Sequence, residues 1–204
     1  MRINNHIALG LLALILWSCS EQKSLPILGE SQTDPISGAL IAYKAPEFEL
    51  TNQLNQTTSS TILEGKIQVV DFFFTSCPTI CPKMTTHLKL VQEAFKDQQE
   101  VAIISYSIDA AHDDPDRLKN YADSYEIDHS KWKLLTGDQK TILELAKDYK
   151  VRAFVDSSDL GPNLIHDGTF VLVDQQRRIR GYYNGLDQLD TQALISDINL
   201  LLKE

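Results

Sequence analysis

Ile67-Gln68-Val69-Val70-Asp71-Phe72-Phe73-Phe74 is an almost unbroken run of β-branched and aromatic residues, and it is followed at once by Cys77-Pro78-Thr79-Ile80-Cys81-Pro82. A continuous apolar run of this kind suits a strand buried on both faces of a sheet. Met84, Leu88, Val91 and Phe95 then recur at helical spacing, which predicts a helix over 82–96. Pro82 falls in its first turn, where the missing N–H costs no hydrogen bond. The two cysteines therefore sit where a buried strand hands the chain to a helix, at the positive end of the helix dipole.

Outward from this junction the pattern alternates. Phe48-Glu49-Leu50, before the turn-rich stretch 51–60, predicts a short strand or hairpin. A second strand is expected over 100–109, a helix opened by Asp114-Pro115 to about 125, a third strand over 132–136 and a helix over 139–150. Two strands, 169–174 and 179–183, flank the polar turn Gln175-Gln176-Arg177-Arg178, and a helix over 187–203 closes the chain. Strands alternating with helices imply an α/β fold with a central mixed sheet flanked by helices. A strand–CxxxC–helix opening and a C-terminal β-hairpin plus helix follow the order of the thioredoxin-like fold, with an inserted α/β unit between them.

The N-terminus reads as an export signal. Arg2 precedes an apolar core from Ile7 to Trp17, too short to span a bilayer, which takes about 20 apolar residues. Leu16-Trp17-Ser18-Cys19 resembles the bacterial lipobox, whose cysteine becomes the lipidated N-terminus after cleavage. The expected organisation is a signal peptide at 1–18, a lipidated tether at 19–44 and a folded domain at 45–204. The protein would then be extracytoplasmic, lipid-anchored through Cys19 on the periplasmic side of a bacterial membrane. The alternative is an ordinary signal or short anchor in which Cys19 is incidental. Pro26, Gly29, Pro35 and Gly38 suit a flexible tether, although Leu25-Pro26-Ile27-Leu28 and Leu40-Ile41-Ala42 are apolar enough to pack onto the domain. A formal charge of −9 without a Lys/Arg cluster argues against a nucleic-acid partner and against a polybasic membrane patch.

With Cys19 assigned, Cys77 and Cys81 are the only thiols left. Cross-linking so small a loop adds little chain entropy, so the pair reads as kept for chemistry. An i, i+4 pair on a regular helix lies on one face with a rise of ~6 Å, so two sulfurs can converge on one ion. Closing the bond between them would strain the first turn. The helix N-terminus favours thiolate, which is both nucleophile and metal ligand. Soft thiolates select Cu(I), zinc or iron–sulfur clusters. Structural zinc and the usual clusters need four ligands, so two thiolates and an imidazole fit three-coordinate copper better. The histidines of the folded part are His87, His112, His129 and His166. His87 lies about 240° round the helix from Cys81, which predicts a surface residue facing away. His112 follows the second strand and could border the site. His129 lies in a polar, solvated segment, and His166 directly precedes the hairpin strand at 169.

At these residues the chain resembles the Sco/SenC family of copper chaperones for cytochrome c oxidase. The strongest stretch is Asp71 to Met84, which carries the family's CPxxCP element as CPTICP. Ser107-Ile108-Asp109, Asp113-Asp114-Pro115, Trp132-Lys133-Leu134-Leu135-Thr136-Gly137, His166-Asp167-Gly168-Thr169-Phe170 and Gly181-Tyr182-Tyr183-Asn184-Gly185 follow in family order. The resemblance implies binding of copper, as Cu(I), Cu(II) or both, by Cys77, Cys81 and His166. It also implies copper delivery to the binuclear copper site of cytochrome c oxidase subunit II, or reduction of that subunit's cysteines. Thr79 stands where many members carry Asp between the cysteines, and Asp109-Ala110 replaces the usual Asp-Pro. The first change takes a carboxylate away from the metal without removing a ligand. An enzymatic alternative is a thiol–disulfide oxidoreductase in which Cys77 attacks a partner disulfide and Cys81 resolves it. A peroxidase would want an activating arginine that the loop lacks, and a buried structural disulfide is the plainest alternative.

Overall fold

The computed structural model describes residues 24–156 and 163–204. The predicted signal at 1–18 and Cys19 lie outside them. A seven-stranded sheet forms the centre, in the order β11-β10-β5-β6-β7-β3-β4. Its strands are β3 (Glu49–Asn52), β4 (Thr57–Ser59), β5 (Ile67–Phe73), β6 (Val101–Ser107), β7 (Trp132–Thr136), β10 (Thr169–Val173) and β11 (Ile179–Asn184). The helices are α1 (Cys81–Ala94), α2 (Pro115–Ser124), α3 (Gln139–Asp148) and α4 (Gln188–Leu201). β5, β6 and β7 run parallel, while β10, β11, β3 and β4 join antiparallel, so the sheet is mixed as expected.

Every residue of β5 and β6 is buried, because helices cover both faces. Ile67, Val69, Phe73, Ile103, Trp132 and Phe170 pack on one face with Met84 and Leu88 of α1, Leu118 of α2 and Leu194 of α4. Val70, Phe72, Ile104, Tyr106 and Val171 pack on the other with Ile142, Leu145 and Ala146 of α3. Asp114, Asp138 and Asp187 cap α2, α3 and α4 by accepting the backbone N–H of Arg117, Thr141 and Leu189. The structure adds two small hairpins that periodicity did not show: β1 (Gln32–Thr33) with β2 (Leu40–Ile41), and β8 (Ala153–Asp156) with β9 (Asn163–His166).

The segment before the domain makes contacts with it. Leu28 bridges to Ile179 on β11, and Leu25 and Leu28 pack against the two cores. Arg180 donates to the carbonyls of Leu25 (2.7 Å) and Pro26 (3.0 Å) and pairs with Asp174 and Glu204. The second apolar patch behaves differently: Leu40 and Ile41 are exposed. Among the described residues no helix is long and apolar enough to cross a membrane.

One core residue breaks the apolar pattern of β5. The Asp71 carboxyl is buried, bonded by the Ser105 hydroxyl, which in turn accepts the Trp132 indole N–H at 2.8 Å. Burial raises its pKa to about 7 from the ordinary 3.8, the Ser105 bond opposing the rise. A folded-state pKa above the unfolded one stabilises the native state below about pH 4, and that contribution is lost as pH rises through about 7. Asp71→Asn is therefore expected to gain stability over the parent between pH 4 and pH 8, by up to about 4 kcal/mol. Thermal unfolding of both proteins across that range checks this; a pH-independent difference would contradict it.

Candidate metal centre

The site stands at the C-terminal end of β5. The chain leaves the sheet at Phe74, turns, and enters α1 at Cys81. The turn is moored by the fully buried Asp113 carboxylate, which accepts the Thr75 N–H at 2.9 Å and the Ser107 hydroxyl at 2.6 Å. Arg117 reaches the Thr75 hydroxyl at 2.7 Å and lies 3.4 Å from Asp113. On a regular helix the i, i+4 spacing would put both cysteines on one face. In the structure only Cys81 is helical, and Cys77 sits in the preceding loop with its N–H bonded to the Phe74 carbonyl at 3.3 Å. Ile80 is the N-cap and offers no side-chain acceptor, so the free N–H groups of the first turn are open to the sulfur of Cys77.

This geometry separates the two thiols. Burial works to raise the pKa of Cys77, but hydrogen bonds from the Cys81 thiol and from the backbone N–H groups of Cys81 and Thr79 outweigh it, and the net shift is downward. Cys81 is pushed well above the ordinary thiol range by burial first and by its bond to Cys77 second. The dipole argument thus holds for Cys77 and fails for Cys81, where desolvation wins.

His166 arrives from the far side of the chain. β8 and β9 pair with Ala153 opposite His166 and Phe154 opposite Ile165. Asp167 fixes the end of this hairpin: its N–H bonds to the Arg152 carbonyl at 3.1 Å and its carboxylate accepts the Arg152 N–H at 3.0 Å. Gly168, at φ +76°, then lets the chain turn into β10. The buried imidazole packs edge-on against the ring of Phe74, centroids 5.8 Å apart, and its Nε2 lies 3.1 Å from Cys81 Sγ. Nδ1 is buried without a hydrogen-bond partner among the described residues. Burial lowers the imidazole pKa to about 4, so the ring stays neutral and keeps a lone pair for a metal.

Ligand atoms of Cys77, Cys81 and His166 lie within 4.8 Å of one another. Phe74, Pro78, Ile80, Leu164 and Ile165 complete the wall of an open cavity of about 410 Å³ there. Two sulfurs and a neutral imidazole are a soft donor set, suited to a thiophilic ion rather than to calcium or magnesium.

The other histidines stay apart. His87 does face away from the cysteines, but it is buried rather than exposed, its Nδ1 2.8 Å from the Gly185 carbonyl. α4 packs beside α1 on the same face of the sheet, and with the Gly185 carbonyl it covers the flank of α1 that carries His87. His112 pairs with Asp109 at 2.7 Å and lines a neighbouring hollow that shares Phe74 and Leu164 with the thiol cavity. His129 lies against Gln53 and Asp123. Sequence reasoning did not foresee Asp113 as the mooring of the loop. Its position directly before an Asp-Pro helix start was the available signal.

Fold and site define a thioredoxin-like protein carrying a Cys/Cys/His cluster at the strand–helix junction. The chain belongs to the SCO1/SenC family, whose model matches residues 40–203. A solved structure of a SCO1/SenC family lipoprotein from Bacillus anthracis is similar at a TM-score of 0.70 and 32% identity, covering 78% of this chain and 95% of that one. BsSco, described as a Sco-family cytochrome c oxidase assembly protein with a disulfide switch, is similar at 0.68 and 31%, covering 88% of this chain and 98% of that one. ScoI from Bradyrhizobium japonicum, solved with copper bound, is similar at 0.65 and 26%, covering 78% and 99%.

The split between the thiols has a direct chemical readout. With a sub-stoichiometric alkylating agent at pH 7, the metal-free reduced protein should be modified at Cys77 at least about tenfold faster than at Cys81. Peptide mass spectrometry of the quenched reaction distinguishes the sites; faster modification of Cys81 would contradict the geometry.

Proposed function

We propose that this protein is an extracytoplasmic copper metallochaperone of the cytochrome c oxidase assembly system. Cys77, Cys81 and His166 hold one copper ion as cargo. The single observation that carries the proposal is the convergence of two sulfurs and one neutral imidazole within 4.8 Å, from segments 85 residues apart. Cytochrome c oxidase assembly and copper are what the similar BsSco and Bradyrhizobium japonicum ScoI are described with. The acceptor in this reading is the binuclear copper site of oxidase subunit II. Cys19 carries the lipid that keeps the domain at the membrane, consistent with the lipoprotein relative from Bacillus anthracis.

A three-ligand site at the wall of an open cavity suits transfer, because an incoming thiolate or imidazole has room to join before a resident ligand leaves. Cys77, the more readily ionised sulfur, takes the ion from solution or a donor; Cys81 and His166 hold it from the buried side. Copper binding would displace the proton that Cys81 otherwise keeps.

A second reading, thiol–disulfide oxidoreductase, draws on the same asymmetry. A low-pKa Cys77 lining the open cavity is placed to attack a disulfide that enters it, and Cys81 to resolve the mixed disulfide. The sulfurs of this pair then go from dithiol to disulfide while the partner's disulfide is reduced. His166 separates the readings. Anaerobic titration of the parent with Cu(I) and Cu(II) should give one ion per chain, with sulfur-to-copper charge-transfer absorption for Cu(II). His166→Ala should weaken this on the order of 100-fold or more while leaving reduction of a model disulfide nearly intact. Absence of stoichiometric binding of both ions by the parent would overturn the metallochaperone reading and leave the reductase.

A further inference from the structure

The sheet gives the molecule two poles, and the chain's N-terminal segment is fastened at the one away from the cysteines. β5 runs from Ile67 to Phe73 toward the Cys77 loop, and β10 pairs with it antiparallel, Val173 opposite Gln68. β11 returns alongside β10, with Ile179 opposite Val173 and Asn184 opposite Thr169. Ile179 and Arg180 therefore lie beside the beginning of β5, about 17 Å of strand from its Cys77 end. The N-terminal segment attaches at this far pole. Leu28 N–H bonds to the Ile179 carbonyl at 2.8 Å, Ala45 N–H to the Arg177 carbonyl at 2.7 Å, and Arg180 holds the carbonyls of Leu25 and Pro26. Tyr43 adds a bond from its hydroxyl to the Asp148 carbonyl at 2.8 Å, at the C-terminal end of α3.

Between Leu28 and Ala45 the chain makes the β1–β2 hairpin, and its apolar side chains find no cover. Ile36 at its tip is 97% exposed, Leu40 76% and Ile41 48%, and Ile27, just ahead of the segment, is 48% exposed. The turn at the tip is ordered: the Asp34 carboxylate accepts the N–H groups of Ile36 at 2.8 Å and Ser37 at 2.7 Å. Three large aliphatic side chains displayed on one anchored hairpin, with Ile27 exposed just ahead of it, are costly in water and point to a partner.

The structure assigns this hairpin to the membrane: we infer that Ile27, Ile36, Leu40 and Ile41 rest in the lipid interface beneath the domain and aim the Cys77 loop away from the bilayer. This rests on the membrane attachment proposed above. Cys19 is six residues from Leu25, so a lipid there lies within about 20 Å of the fastened segment even with the chain fully extended. An attachment through the apolar segment before Cys19 would put the membrane on the same side. The nearby charges are mixed, Glu30, Asp34 and Glu47 against Lys44, Arg177 on the Ala45 carbonyl and Lys150 over the Tyr43 ring, so no uncompensated basic patch for anionic headgroups accounts for the surface. Apolar side chains at a bilayer boundary do. The consequence for function is orientation. The thiol pole stands off the lipid by the height of the sheet, open to an acceptor.

The test uses the full chain, expressed with its own N-terminus and reconstituted into phosphatidylcholine vesicles carrying brominated acyl chains. Ile36→Trp and Leu189→Trp place reporters at the two poles; both positions are exposed, so the fold tolerates either. Subtracting the parent's emission removes Trp17 and Trp132. The Ile36→Trp emission should be quenched at least about threefold more than that of Leu189→Trp. Equal quenching of the two reporters in chains that float with the vesicles would overturn the orientation alone. A chain that does not float with vesicles would overturn the membrane attachment and the orientation together.

Discussion

The rest of the site depends on one contact, Cys81 Sγ to His166 Nε2 at 3.1 Å, between residues 85 positions apart. Neither side chain can be where it is by local geometry. Cys81 is placed by the buried end of β5 and the start of α1. His166 is placed by a four-residue strand that pairs with β8, outside the central sheet. Asp167 and Gly168 join that small hairpin to β10, and the edge of β10 against β5 carries it to the cysteines. Bringing a soft donor trio together therefore uses most of the length of the domain, and the trio cannot survive loss of the sheet that spans it.

The same arrangement makes the two sulfurs unequal. Cys77 lies where unpaired helix N–H groups favour an anion, while Cys81 lies one turn deeper, where burial disfavours one. A symmetric pair would suit a static metal site. An unequal pair has an outer ligand that exchanges readily and an inner ligand that releases a proton when metal enters. The buried neutral imidazole belongs with the inner sulfur. Copper transfer and thiol exchange draw on the same inequality, which is why they are the two chemistries that the site supports.

The centre of the sheet was legible because β5 and β6 are long and apolar on both faces, and the helices carry caps such as Asp114, Asp138 and Asp187 ahead of a 3.6-residue pattern. Strand–cysteine–helix order was enough to place Cys77 and Cys81. His166 was named through resemblance to a family; the hairpin that delivers it was not seen, because β8 and β9 are four residues each and too short for an alternation to register. His87 was misread for a different reason. Its angle from Cys81 was right, but α4 and the Gly185 carbonyl cover that flank of α1, and the solvent face of the helix runs instead through Lys83, Thr86 and Leu90. The expectation that the helix start favours thiolate holds for Cys77 and fails for Cys81, because the dipole of a helix start is a local field and desolvation varies over a single turn. Leu25 and Leu28 did pack onto the domain, fastened by Arg180, whose partners in the fold no spacing rule reveals.

X-ray absorption at the copper edge, on the full chain loaded with one equivalent of Cu(I) under anaerobic conditions, addresses the central claim most directly. Two sulfur scatterers and one imidazole nitrogen, with the nitrogen shell lost in His166→Ala, is the predicted result. A sulfur-only shell that the substitution leaves unchanged would contradict it.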